Sequence, residues 1–140
     1  MILLDTNVVS EMMKAAPDRR ALAWLDAQLA SALFVSSITQ SELLYGVALS
    51  PGGKRRDELA RAVGAAFAVY FRGRVLAFDS AAAAAFADIA ASRRRAGRPI
   101  SQSDAQIAAI ARSRGATLAT RNVKDFDGCG VEVVDPWAER

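Results

Sequence analysis

Three carboxylates in this chain of 140 residues stand where a strand gives way to a helix. They are Asp5 in "LLDTN", Glu42 in "VSSITQSELLYG" and Asp104 in "PISQSDAQIAAIA". Grouped carboxylates and hydroxyls are hard oxygen donors, suited to Mg²⁺ or Mn²⁺ and to little that is softer. Held together without a cation they repel: unit charges about 4 Å apart cost roughly 4 kcal/mol at an effective dielectric of 20. The chain has no histidine, which excludes Ser-His-Asp and Cys-His catalysis and any imidazole base. Its single cysteine, Cys129, leaves no thiolate set for zinc and no intrachain disulfide.

Each carboxylate also has a purely local explanation. Thr39 and Ser101 are good N-caps, and Glu42 and Asp104 follow three residues later, at the capping-box offset. Ile38 and Leu43 would then complete a hydrophobic staple around the Thr39 cap. Asp79 in "VLAFDSAAAAAF" repeats the strand, aspartate, helix order of Asp5, but it faces a featureless alanine helix, so a cap is expected there. Nothing in periodicity separates Asp5 from Asp79. What separates them is company, because the crossover helices of a parallel sheet all start at one edge, where such folds bind ligands.

The elements that would bring this about are legible in outline. Strands are predicted at Ile2–Leu4, Leu33–Val35, Val75–Phe78 and Thr117–Ala119, with a weaker fifth over Val131–Val134. Helical patterns occupy Asp18–Leu29, Gln40–Leu49, Arg55–Tyr70, the alanine-rich run from Ser80 to Gly97, and Ser103–Arg114, which stops at Gly115. Alternating short strands and helices predict a three-layer α/β/α sandwich with a central, mainly parallel sheet of four to five strands. The final segment "TLATRNVKDFDG" places Thr120, Asn122 and Asp125 just past a strand. They are candidates for water, metal or phosphate contacts.

Half of the residues are hydrophobic, and glycine and proline are few, so one domain spanning residues 1–140 is expected. Asp5 interrupts the first apolar run after three residues, and no run reaches membrane-spanning length. The expectation is a cytoplasmic protein with no membrane partner. The net charge is +3, with 18 basic residues, most of them arginine, a phosphate-binding side chain. "SRRRAGR" (Arg93, Arg94, Arg95, Arg98), with Arg121 and Lys124, could track phosphate, contact a protein partner or simply be solvated. Trp24 and Trp137 could stack bases, but packing in the core or a lid is expected. Tyr45, Phe67, Tyr70 and Phe71 fit either a dimer interface or the core.

The blocks "LLDTNVVSEMM", "VSSITQSELLYGV", "ISQSDAQIAAIARSRGATLATRNVKDF" and "GVEVVDPW" together resemble a PIN domain, specifically a VapC-type toxin of a toxin–antitoxin pair. The "SEMM" and "RNVKDF" wording is most similar to the FitB-like branch. The resemblance covers nearly the whole chain and implies a Mg²⁺- or Mn²⁺-dependent endoribonuclease acting on tRNA or rRNA, commonly as a homodimer. It implies Asp5, Glu42 and Asp104 as metal ligands and Thr6 and Thr120 as hydroxyls lining the site, with Ser37 as a further one. Many relatives carry Asp where this chain has Asn122, so the fourth acidic position falls on either Asn122 or Asp125. The resemblance also implies a cognate antitoxin whose tail wraps the toxin, the pair repressing its own promoter with DNA bound mainly through the antitoxin. The alternative is a catalytically weak partner acting mainly in that DNA-binding complex.

Overall fold

A computed structural model describes residues 1–139. Among the described residues, five strands form one sheet: β1 (Ile2–Leu4), β2 (Leu33–Ser36), β3 (Val75–Leu76), β4 (Thr117–Ala119) and β5 (Val133–Val134). All neighbouring pairs are parallel, in the order β3-β2-β1-β4-β5. The earliest strand is therefore the central one, and Leu4 lies level with Val35 on one side and Ala119 on the other. Whatever follows Leu4 emerges in the middle of the sheet's carboxyl edge.

Among the described residues, six α-helices cover the sheet: α1 (Thr6–Met12), α2 (Arg19–Asp26), α3 (Ser37–Leu49), α4 (Lys54–Ala65), α5 (Ser80–Arg95) and α6 (Gln102–Arg114). Side chains alternate across a strand, and the core divides accordingly. Leu3 and Leu118 face α5 and α6, packing with Ile89, Ile107, Ile110 and Phe126. Leu4, Val35 and Ala119 face the other way, against Val8 and Val9 of α1 and Trp24 and Leu25 of α2. This is the three-layer arrangement expected. Trp24 and Trp137 are both buried, and both belong to this second cluster.

Several boundaries differ from expectation. β3 ends at Leu76 rather than Phe78, because only Val35 and Ser36 pair with it. The weak fifth strand shortens to Val133–Val134, paired to Leu118 and Ala119. The predicted helix over Arg55–Tyr70 loses its regular pitch at Ala66, and a wide turn over Ala66–Tyr70 brings the Phe71 amide to the Ala66 carbonyl at 2.8 Å. That change of pitch inserts Phe71 into the core while Val69 stays exposed. Tyr45 and Tyr70 are exposed on the same helical arm as Leu44 and Leu49, whereas Phe67 is half-buried against the core.

The start of α3 also moves. Ser36, not Thr39, is its N-cap: the Ser36 hydroxyl accepts from the Thr39 amide at 3.0 Å. Three hydroxyl candidates, Ser36, Ser37 and Thr39, compete in "SSIT", and the winner is the residue on which the extended strand ends. Glu42 therefore lies beyond the first turn and has no capping role. The Thr39-centred staple of Ile38 with Leu43 lapses too, since these residues pack into clusters on opposite faces of the sheet. Ser101 caps α6 as expected, accepting from the Asp104 amide at 3.2 Å. Asp79 caps α5, accepting from Ala82 at 3.0 Å.

Candidate active site

Asp5 follows the central strand and is only 4% exposed. Its amide is spent on the Ala119 carbonyl (2.9 Å), which extends the pairing of β1 with β4 by one residue and fixes where the side chain leaves the sheet. Oδ1 accepts from the Thr6 amide at 2.8 Å. Oδ2 accepts from the Thr120 hydroxyl at 2.8 Å and from Asn7 Nδ2 at 3.2 Å. Burial pushes the Asp5 carboxyl above its ordinary value; the Thr120 and Thr6 bonds oppose that rise, and the charges of Asp104 and Glu42 add to it. A carboxylate kept buried in this way, facing two others, is a functional-site signature.

Thr6 connects Asp5 to Glu42. Its hydroxyl donates to Glu42 Oε1 at 2.9 Å and lies 2.9 Å from the Thr39 hydroxyl. Since a hydroxyl has one proton, Thr39 is then the donor to Thr6. The chain of bonds runs Thr39, Thr6, Glu42, with Thr39 fully buried and Glu42 exposed at the mouth.

Asp104 is half-buried in the first turn of α6. Burial raises its carboxyl, its Ser101 contact lowers it, and Asp125 raises it further by like charge. Asp125 sits on a short 3-10 turn, Val123–Phe126, and lines one small cavity of about 250 Å³ together with Asp104, Arg93 and Ser101. Asn122 takes part differently. Its amide donates to the Thr120 hydroxyl at 3.1 Å, and it lines a neighbouring cavity beside Arg121, Lys124 and Asp125. Of the two candidates for the fourth acidic position, Asp125 is thus the one set beside Asp104.

Ser37 is not among the site hydroxyls: its Oγ accepts from the Phe78 amide at 3.4 Å and ties α3 to the chain beyond β3. Arg93 is not a solvated charge: it is buried and bonded to the Asp125 carbonyl at the edge of the cavity it shares with Asp104. One residue escaped sequence reasoning. Asn7 donates to Asp5 and to Thr120 (3.3 Å), and its Oδ1 accepts from the Arg121 amide at 3.2 Å. Its place in "LLDTN", two residues after Asp5, is the sequence signal for it.

The donor atoms assembled here are carboxylate and hydroxyl oxygens, the chemistry that a hard divalent ion takes, and the charges on Asp104 and Glu42 bear on Asp5 in the sense that such an ion would offset. Among the described residues, however, no three acidic side chains stand close enough as they lie to hold one ion. Donor type fits a hard cation; convergence of three carboxylates requires the side chains to move, and the exposed Glu42, on one hydroxyl bond, is the freest to do so.

Comparison with known proteins agrees with the geometry. The PIN domain family model matches residues 2–128. The chain is 42% identical over 137 residues to VapC ribonuclease Y4jK of Sinorhizobium fredii, covering 98% of each. It is 39% identical to toxin FitB of Neisseria gonorrhoeae, over 98% of this chain and 99% of that one. Among solved structures, FitAB bound to a DNA fragment superposes with a TM-score of 0.92 at 38% identity, covering 100% of this chain and 98% of the other. A buried aspartate on the central strand, a five-stranded parallel sheet and relatives matched along their whole length lead to one assignment: this chain belongs to the PIN domain family.

Proposed function

We propose that this protein is a Mg²⁺- or Mn²⁺-dependent endoribonuclease toxin, a single nuclease domain over residues 1–140, inhibited by a cognate antitoxin. The observation that carries the reading is Asp5: a carboxylate buried on the central strand, held by three donors and repelled by two other carboxylates. Full-length similarity to a VapC ribonuclease supports the substrate class.

Asp5, Glu42 and Asp104 would hold the ion, which when bound lowers the pKa of a water and offsets charge on the phosphate oxygens. The remaining work belongs to the chain. Thr120 and Asn7 fix the rotamer of Asp5, and Thr6, itself accepting a hydrogen bond from Thr39, holds Glu42 at the mouth. Asp125 supplies the fourth acidic group beside Asp104. An acidic centre repels RNA, and Arg121 and Lys124 on its rim counter this by meeting the backbone phosphates. Arg121 is braced for it, with its guanidinium 5.0 Å from the centre of the Trp137 ring.

The exposed apolar arm of α3 and the wide turn after α4, with Leu44, Tyr45, Leu49 and Val69, is the surface we assign to homodimer or antitoxin contact. A second reading, a weak nuclease acting chiefly in a promoter-binding complex with its antitoxin, is favoured by the likeness to FitAB solved on DNA. Incubating the protein with total tRNA and rRNA, with Mg²⁺, Mn²⁺ or EDTA and with D5N beside it, decides between them. Cleavage leaving 5′-phosphate and 3′-hydroxyl ends, lost in EDTA and in D5N, is expected. A folded, metal-binding protein that cuts no RNA would leave the second reading standing.

A further inference from the structure

Arg93 borders the cavity of Asp104 and Asp125, and it grips both segments that carry these two carboxylates. It occupies the last turn of α5, where it follows Ile89 by four residues and shares its inward face; it is only 8% exposed. Its Nε donates to the Arg98 carbonyl at 2.7 Å. Its Nη1 donates to the carbonyls of Asp125 (2.8 Å) and Asp127 (3.0 Å) and lies 3.6 Å from Cys129 Sγ. Its own carbonyl accepts from the Arg98 amide at 2.9 Å, the bond that closes α5 around Gly97 at φ +73°. Arg98 is thus held twice by one residue, three positions before Ser101, the cap of the Asp104 helix.

On the other side of the guanidinium is Asp125 itself, gripped by its carbonyl while its side chain faces the cavity shared with Asp104. We propose that Arg93 is a positioning residue: it clasps the loop before α6 to the turn after β4 and so sets the spacing between Asp104 and Asp125. This inference rests on the metal-dependent nuclease reading above. The clasp is needed because the two carboxylates repel and Asp125 rides on a turn of one 3-10 unit. An arginine suits the task because its planar fork donates along several fixed directions at once, whereas a lysine is a single point charge. The Arg98–Asp127 ion pair, 3.5 Å long and half exposed, joins the same segments from outside, where such pairs contribute little.

The test compares R93K and R93M with V63A, a cavity-forming change at a buried residue of α4. Melting temperature is measured in EDTA, Mn²⁺ affinity by calorimetry, and RNA cleavage as kcat and KM. All three variants are expected to melt lower than wild type. Only the Arg93 variants are expected to weaken Mn²⁺ binding, by about tenfold or more, and to lower kcat with KM little changed. Where R93M does not melt cooperatively, R93K carries the comparison. Wild-type Mn²⁺ affinity in R93K, or an equal loss in V63A, overturns the assignment while leaving the nuclease reading intact. A wild-type protein that neither binds Mn²⁺ nor cuts RNA overturns both.

Discussion

Asp5 and Asp79 start from the same local instruction: a short apolar strand, an aspartate, then a helix whose amide it caps. Asp5 leaves the central strand, with β2 on one side and β4 on the other, and the neighbouring strand ends deliver Thr120 and, through α3, Thr39 and Glu42. Asp79 follows the edge strand β3, is exposed, and has Ala82 for its capping partner. The difference lies in sheet order, not in either stretch of sequence. A cap on an edge stabilises a helix; the same residue in the middle of the sheet is surrounded by other elements' polar side chains.

That contrast breaks most plainly by substitution at the two aspartates. On the nuclease reading, D5N lowers RNA cleavage by about a hundred- to a thousandfold, whereas D79N leaves it within about twofold of wild type, both measured under saturating Mn²⁺. Equal losses at both positions would mean that position in the sheet does not distinguish them. The binding counterpart is thermal. Mn²⁺ at about a hundred times its dissociation constant stabilises a folded state by roughly 2.7 kcal/mol, so melting should rise with Mn²⁺ in wild type and D79N and stay flat in D5N.

Asn7 sharpens the comparison one step out. It bridges Asp5, Thr120 and the Arg121 backbone, and Asp79 has no counterpart among the contacts of its own helix start. Partners that orient a ligand typically matter about 10–100-fold. N7A is expected to lose cleavage in that range, with kcat falling more than the melting temperature would suggest. N7A that cuts RNA at the wild-type rate would reduce Asn7 to a structural tie.

How far the sequence could have taken this follows from the reach of each signal. Ser101 and Asp79 were legible as caps because capping acts within three residues, and the parallel sheet was legible because strand and helix periods alternate. Asn7 was not, since its partners Thr120 and Arg121 lie more than a hundred residues away and only strand order brings them near. The Ser36 cap was hidden among the three hydroxyls of "SSIT", and the strand pairing with β3 chose between them. In the sequence Arg93 is one of four equivalent arginines in "SRRRAGR". The signal that singled it out was helical phase, four residues after Ile89, and it carried weight only once α5 was known to pack against the sheet.

Smaller effects test the electrostatic side of the contrast. Asp104 titrates near 3.8 when free of the fold, and burial and Asp125 raise it in the native state. A carboxyl raised on folding binds its proton more tightly in the native state, so metal-free stability falls as pH climbs from the free value through the raised one. D104N removes this loss. Melting in EDTA should therefore show D104N gaining on wild type as pH rises through that window, by a few degrees at most, with the gap constant above it. A gap that shrinks with rising pH would reverse the sign assigned to the site's like charges.

The smallest expected change falls on the edge. Asp79→Ala removes the one side-chain bond that caps α5, and losing such a cap costs about 1 kcal/mol. Melting of D79A should drop accordingly while Mn²⁺ affinity and RNA cleavage hold, since α5 is fixed at its far end by Arg93 and along its length by Ala82 and Ile89. If the edge cap were instead transmitted to the centre, D79A would lower Mn²⁺ affinity in step with stability. The path would have to run down α5 to the Arg93 clasp, so D79A and R93K would then fail to add in their effects on Mn²⁺ binding. Additive effects, with D79A acting on stability alone, keep the edge and the centre separate.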